Sequence, residues 1–193
     1  MRLRTLLSAL LLLSANGLPA LADGEFDEII TAADRVRMEN YEATRAQAIE
    51  EAKAGALAGD LAVLDAVIGK EPQSWSDFDM TGKWECRTIK AGGPVPLVVY
   101  DWFKCKVTDD GSGWMLEKMT GSQRTKGRFY SDGDKRLDYL GSSFVAGENP
   151  APYGSGPESD QFGFAFRTGA KEFRIEFPAP HYESKFDILE FRR

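Results

Sequence analysis

Apolar residues recur at three- and four-residue spacing between Phe26 and Ala48, and this period is gone by residue 80. Phe26, Ile29, Ile30, Ala33, Val36, Tyr41, Thr44 and Ala48 describe one stripe of an amphipathic helix, with Glu39, Glu42, Arg45, Glu50, Glu51 and Lys53 on its wet face. Gly55 supplies a stop. Asp60 is placed as an N-cap for a short second helix carrying Leu61, Leu64, Val67 and Ile68, closed by Gly69 and Pro72. From about Met80 the chain changes to short aromatic and β-branched runs separated by Gly, Pro, Ser and Asp. Strands are expected near 82–90, 97–107, 113–120, 124–131, 135–144, 161–168, 171–177 and 185–192. Turns fall at Gly92-Gly93-Pro94, Asp109-Asp110-Gly111, Asp132-Gly133 and Thr168-Gly169, and Gly147 to Asp160 reads as a long loop. The expected fold class is therefore α+β: an N-terminal helical pair over 23–72, then a small antiparallel, roughly eight-stranded β-barrel over 78–193.

Cys86 and Cys105 are the only cysteines, and they test the first hairpin. If strands 82–90 and 97–107 pair, a register that opposes the two cysteines also opposes Trp84 to Val107 and Thr88 to Phe103. Alternation then puts Trp84, Cys86, Phe103, Cys105 and Val107 on one face and Lys83, Glu85, Arg87, Lys104 and Lys106 on the other. The later runs agree: Phe162, Phe164 and Phe166 alternate with Gly163, Ala165 and Arg167, and Phe173, Ile175 and Phe177 alternate with Arg174 and Glu176. One buried and one wet face are expected for each. Gly163 and Ala165 mark either a close approach of the N-terminal helix or strand curvature.

The start of the chain fixes the expected compartment. Arg2 and Arg4 precede an apolar run from Leu6 to Leu13, and Pro19 precedes Ala20-Leu21-Ala22, a small-x-small site. Residues 1–22 thus read as a secretory signal peptide cleaved after Ala22, and no later run approaches the ~20 residues of a membrane-spanning helix. Cleavage removes two of the 24 basic residues and none of the 30 acidic ones, taking the net charge from −6 to −8. A negative chain with no Lys/Arg block argues against nucleic acid and anionic membranes as general partners. In an oxidising compartment the two cysteines read as one disulfide.

Thr81-Gly82-Lys83-Trp84 resembles the G-x-W signature of lipocalin-like barrels. That resemblance implies a Trp84 that closes one barrel end beneath an Arg of the last strand, for which Arg192 is the candidate. More widely, Thr31-Ala32-Ala33-Asp34-Arg35, the segment Gly82 to Arg87, and Pro178-Ala179-Pro180-His181-Tyr182-Glu183-Ser184-Lys185-Phe186-Asp187-Ile188-Leu189-Glu190 resemble an uncharacterised family of exported proteobacterial proteins, domain of unknown function 4893. The resemblance implies a periplasmic location and supplies no activity, cofactor or catalytic residue.

Candidate chemistry is sparse. His181 is the single histidine, no G-x-S-x-G elbow accompanies it, and its prolines suit a rigid corner between strands. One His and two Cys do not make a structural zinc site, and neither Asp109-Asp110 nor Glu158/Asp160 has calcium-loop spacing. No catalytic residue, metal or cofactor is expected, and a monomer is. Two functions remain open. The barrel holds an apolar small molecule or lipid fragment, with Trp84, Phe103, Phe164 and Arg192 as candidate contacts. Alternatively its phenylalanines fill the core, and the helices and long loop form a surface for an envelope protein.

Overall fold

The computed structural model describes residues 23–193; the expected signal peptide and its cleavage site after Ala22 lie outside the described residues. Four helices, α1 (Asp23–Ile29), α2 (Ala32–Glu39), α3 (Tyr41–Gly55) and α4 (Ala58–Ile68), precede nine strands. The strands are β1 (Gly82–Ala91), β2 (Leu97–Val99), β3 (Phe103–Asp109), β4 (Trp114–Lys118), β5 (Gln123–Ser131), β6 (Leu137–Val145), β7 (Asp160–Gly169), β8 (Glu172–Pro178) and β9 (Phe186–Arg192). Sequential antiparallel pairing runs from β3 to β9, and β9 pairs back onto β1 over Glu85–Ala91, closing a barrel of eight staves. The ninth strand arises because the expected strand 97–107 is interrupted at Tyr100–Trp102, so β2 and β3 are two pieces of one stave.

The first hairpin is paired two residues away from the expected register. Trp84 opposes Cys105 and Cys86 opposes Phe103, so the Cys86–Cys105 disulfide runs diagonally, with Cα atoms 5.9 Å apart. A two-residue slip leaves every side chain on its face. Trp84, Cys86, Cys105 and Val107 are accordingly buried inside the barrel, as the alternation requires.

Helix formation departs further from expectation. The single stripe of 26–48 is cut twice. Thr31 is extended (φ −69°, ψ 156°) and caps α2 by accepting a hydrogen bond from the Asp34 amide, and Asn40 (φ −95°, ψ 8°) separates α2 from α3. The pieces pack on different parts of the outer wall: α1 on β5, α2 on β7, and α3 on β1, β8 and β9. A straight helix could not follow that curvature. In α2 the buried residue is Asp34, while Ala33 and Val36 of the expected stripe face solvent. Helix α4 begins at Ala58, so Asp60 lies in its first turn rather than at its cap.

Two cores result. One is the barrel interior; the other lies between the helices and the outer wall, where Phe26, Ile30, Tyr41, Ala48, Leu64 and Val67 meet Ile89, Leu140, Phe162, Phe164, Phe186 and Ile188. The alternating faces of β7 and β8 are thus both covered. Phe162 and Phe164 face the helices, while Phe173, Ile175 and Phe177 point inward. Gly163 is small because of the barrel interior: a Cβ there would lie 2.9 Å from Ile175 Cγ2.

The expected wet face of β8 is instead a buried ionic clasp. Glu176 is fully buried; its Oε1 accepts from Arg174 Nε (2.5 Å), and its Oε2 accepts from Tyr41 Oη (2.6 Å) and Arg45 Nε (2.9 Å). Arg174 also donates to the Val67 and Lys70 carbonyls, tying the end of α4 to the same point. A second clasp holds α2: Tyr153 of the long loop donates to Asp34 Oδ2 (2.7 Å), and Arg37 bridges Asp34 to the Asp160 carbonyl.

Two stability outcomes follow from these contacts. Glu176→Leu leaves buried guanidinium groups without their carboxylate and should lower unfolding free energy by about 3–5 kcal/mol in chemical denaturation. Cys86→Ala should lower it by about 2–4 kcal/mol; identical melting of the wild type with and without reductant would count against a stabilising bridge.

Candidate site in the mouth of the barrel

One half of the barrel is full. The connector between α4 and β1 brings Trp75, Phe78 and Met80 across the end where β1 begins, and they pack on Trp84, Phe173 and Phe191. Phe173 and Phe191 stack at 4.0 Å, Trp84 stands edge-on to Phe173 at 4.8 Å, and its indole Nε1 donates to the Met80 carbonyl. The cation over Trp84 is Arg193, 4.2 Å from the ring, not Arg192. Arg192 lies one residue out of phase, on the outer surface, where it stacks on Trp102 at 3.8 Å and pairs with Glu85. The C-terminal arginine is placed by its donation to the Thr81 and Asp79 carbonyls beside the plug.

Tyr139 divides the full half from the open half. Its ring lies across the interior so closely that a Cβ on Gly127 would be 2.6 Å from its Cζ. Its hydroxyl bonds Thr125 Oγ1 (2.7 Å), which donates to Gln161 Oε1 (2.6 Å). Above this hydroxyl–amide floor is a cavity of about 500 Å³. Inward strand positions that are apolar in the lower half become polar here: Thr88 and Lys90 on β1, Lys118 on β4, Gln123 and Thr125 on β5, Asp187 on β9. The loop between β8 and β9, carrying His181, Tyr182 and Glu183, lies over one side. Positive φ at Ala179 (47°) and Glu183 (69°) folds that loop back toward the mouth.

The two ammonium groups of the cavity differ. Lys90 donates to Glu183 Oε2 (2.6 Å) and Gln123 Oε1 (2.9 Å). Lys118 is 6% exposed, reaches Thr88 Oγ1 at 3.3 Å and sits 4.4 Å above the Phe103 ring. Among the described residues it makes no ion pair with a carboxylate. Burial, reinforced by the charge of Lys90, pulls its pKa down to about 8. Asp187 accepts from Ser184 Oγ (2.5 Å), and burial pushes its carboxyl up to about 6.

The residues singled out in the sequence are dispersed by the fold. Trp84 belongs to the plug. Phe103 underlies Lys118 at the edge of the cavity. Phe164 is on the outer wall, against Tyr41 and beneath the Arg136 guanidinium, in a separate acidic cleft that includes Asp138. Arg192 is on the outer surface and 49% exposed. Lys90, Lys118, Thr125, Gln161 and Asp187 were not anticipated. The available signal was a charged residue at an inward phase, Lys90 in step with Trp84 and Cys86, and Lys118 in step with Leu116.

The pKa of Lys118 has a sign that can be measured. Its folded value is below the ordinary 10.5, so the burial penalty is present in full below about pH 8 and is relieved as pH rises toward 10.5. The stability of Lys118→Met minus that of the wild type should therefore shrink by about 3 kcal/mol across that interval, read from denaturant titrations at each pH.

The sequence matches the family described as Domain of unknown function (DUF4893) over residues 26–191, a span that takes in α1 through β9. No curated protein and no solved structure matches the chain significantly. Because the family match covers the helices and the barrel together, this chain belongs to the DUF4893 family, with the helical layer as part of the family's domain.

Proposed function

We propose that this is an exported, periplasmic binding protein that holds a small molecule in the open half of its barrel without transforming it. The observation that carries the reading is the division of the barrel interior. Aromatic packing fills one end, while the other keeps about 500 Å³ lined by hydroxyl, amide and charged groups together with apolar Phe177, Val145 and Leu189. That volume suits a ligand of metabolite to drug size, and convergent polar groups in a concave wall are what fixes such a ligand's orientation. The inner end of the ligand is polar, because Thr125, Gln161, Lys90 and Lys118 meet it there; Phe173 and Phe191 are stacked on each other in the plug, while Phe177 lines the cavity wall. The export segment and the bridged cysteines support the periplasmic location.

A second reading, docking of an envelope protein on the mouth, is favoured by a different observation. Val95, Met119, Val145 and Tyr182 are exposed apolar side chains, and all four are carried by turns or strand ends on the open side of the barrel. Native mass spectrometry of protein purified from its own periplasm separates the two. A discrete small mass released on denaturation supports the binding protein. A ligand-free barrel that co-purifies with one polypeptide at fixed stoichiometry overturns it in favour of the docking surface.

A further inference from the structure

We infer that the ligand of the barrel mouth carries an anionic group, a carboxylate or a phosphate, and that Lys118 is its anchor. This rests on the small-molecule reading above and specifies its chemistry. Three features lead to it. First, Lys118 is a buried ammonium inside a cavity, where neutral lining would be far less costly, and among the described residues it makes no ion pair with a carboxylate. Buried charges in proteins are ordinarily paired, and Lys118, turned into the cavity with no carboxylate at ion-pair distance among the described residues, is placed to receive one from a ligand. Second, the neighbouring cation is already engaged. Lys90 is held by Glu183, a carboxylate that is 59% exposed and reaches in from the β8–β9 loop. The protein thus supplies an anion of its own to one of the two ammonium groups and leaves the other open. Third, the surroundings of Lys118 are prepared for an anion. Thr88, whose Oγ1 accepts from Lys118, keeps its own hydroxyl proton to donate, and Gln123 and Arg124 on β5 border the same space. The Phe103 face beneath Lys118 stabilises the cation without satisfying any of its N–H donors.

Asp187 is the competing charge. It is the carboxylate at an inward strand position in this region, and Ser184 turns a hydroxyl toward it. Glu148, Glu158 and Asp160 also border the cavity, but the Asp160 carboxylate is taken up by the Gly154 and Gly156 amides and the two glutamates are exposed at the rim. With Lys90 held by Glu183, Asp187 is the acid that an incoming anion meets beside Lys118.

The test uses two fluorescent probes of nearly the same shape. 8-Anilino-1-naphthalenesulfonate is anionic, and N-phenyl-1-naphthylamine lacks the sulfonate. Titrations into the folded wild type, Lys118→Met and Lys118→Arg are compared, with octanoate and octyl phosphate as displacing ligands. The expected result is saturable sulfonate binding that weakens at least tenfold in Lys118→Met, recovers in Lys118→Arg, and is displaced by one or both anions. Binding of the neutral probe should change less than twofold. Displacement by octanoate alone identifies a carboxylate ligand, and by octyl phosphate alone a phosphate one. Equal affinity of the sulfonate for wild type and Lys118→Met, or equal loss of both probes, overturns the anchor while leaving small-molecule binding intact. Binding of the neutral probe but not the sulfonate to the wild type overturns the anchor, and failure of both probes to bind overturns the binding reading along with it. Melting temperature of Lys118→Met at or above the wild-type value shows that the loss is not one of folding.

Discussion

A single carboxylate, Glu176, holds the two halves of the molecule together. It sits on the outer face of a barrel strand, yet no part of it reaches solvent, because α3 and the end of α4 close over it. Burying a carboxylate is unfavourable unless each oxygen is met, and here Arg174 meets one while Tyr41 and Arg45 meet the other. Every donor comes from a defined place: one from the same strand, two from α3. The clasp therefore specifies where the helices lie on the barrel, something apolar contacts alone would leave free to slide. Burial of the ring, and after it the charge of the neighbouring carboxylate, push the Tyr41 hydroxyl well above the ordinary tyrosine range, so it remains a donor throughout the physiological interval.

The second clasp extends the same logic to the long loop. Asp34, buried in α2, receives Tyr153, and Asp160 uses its carboxylate to accept from the Gly154 and Gly156 amides while its carbonyl receives Arg37. Gly147 to Asp160 is consequently an ordered border of the mouth rather than a free excursion. The outer clasps and the inner plug leave the mouth of the barrel without internal occupants among the described residues. That is how a small barrel with a helical jacket can keep both a dense core and a cavity: the aromatic residues concentrate at one end, and the hydroxyl of Tyr139 marks where apolar packing stops.

The same polar contrast explains the separation of roles among the lysines. The cations exposed on the outer surface contribute little to stability, and those of the clasps are matched by carboxylates. Lys118 is unlike them because it is the last residue of β4 at an inward position, in step with Leu116 and opposite Cys105. Its ammonium lies over the Phe103 ring inside the mouth.

Much of this architecture is written in the sequence, and the reason is local. A period of two fixes which residues face inward whatever the register, so the inward set Trp84, Cys86, Cys105 and Val107 was legible even though the hairpin pairs two residues away from the symmetric alignment of its cysteines. Strand boundaries were legible because Gly, Pro and Asp turns interrupt the backbone where side chains cannot. What the sequence could not show was which face of a strand would be covered from outside. Glu176 and Arg174 read as solvent-facing, and only the packing of α3 and the end of α4 on the curved wall makes them interior. Likewise, one apolar stripe cannot reveal that a helix is cut at Thr31 and Asn40, since the cut answers to barrel curvature. The candidate site is the extreme case. Lys90, Lys118, Thr125, Gln161 and Asp187 come from five strands and become neighbours only when β9 closes onto β1, a contact between distant parts of the chain that no local pattern encodes.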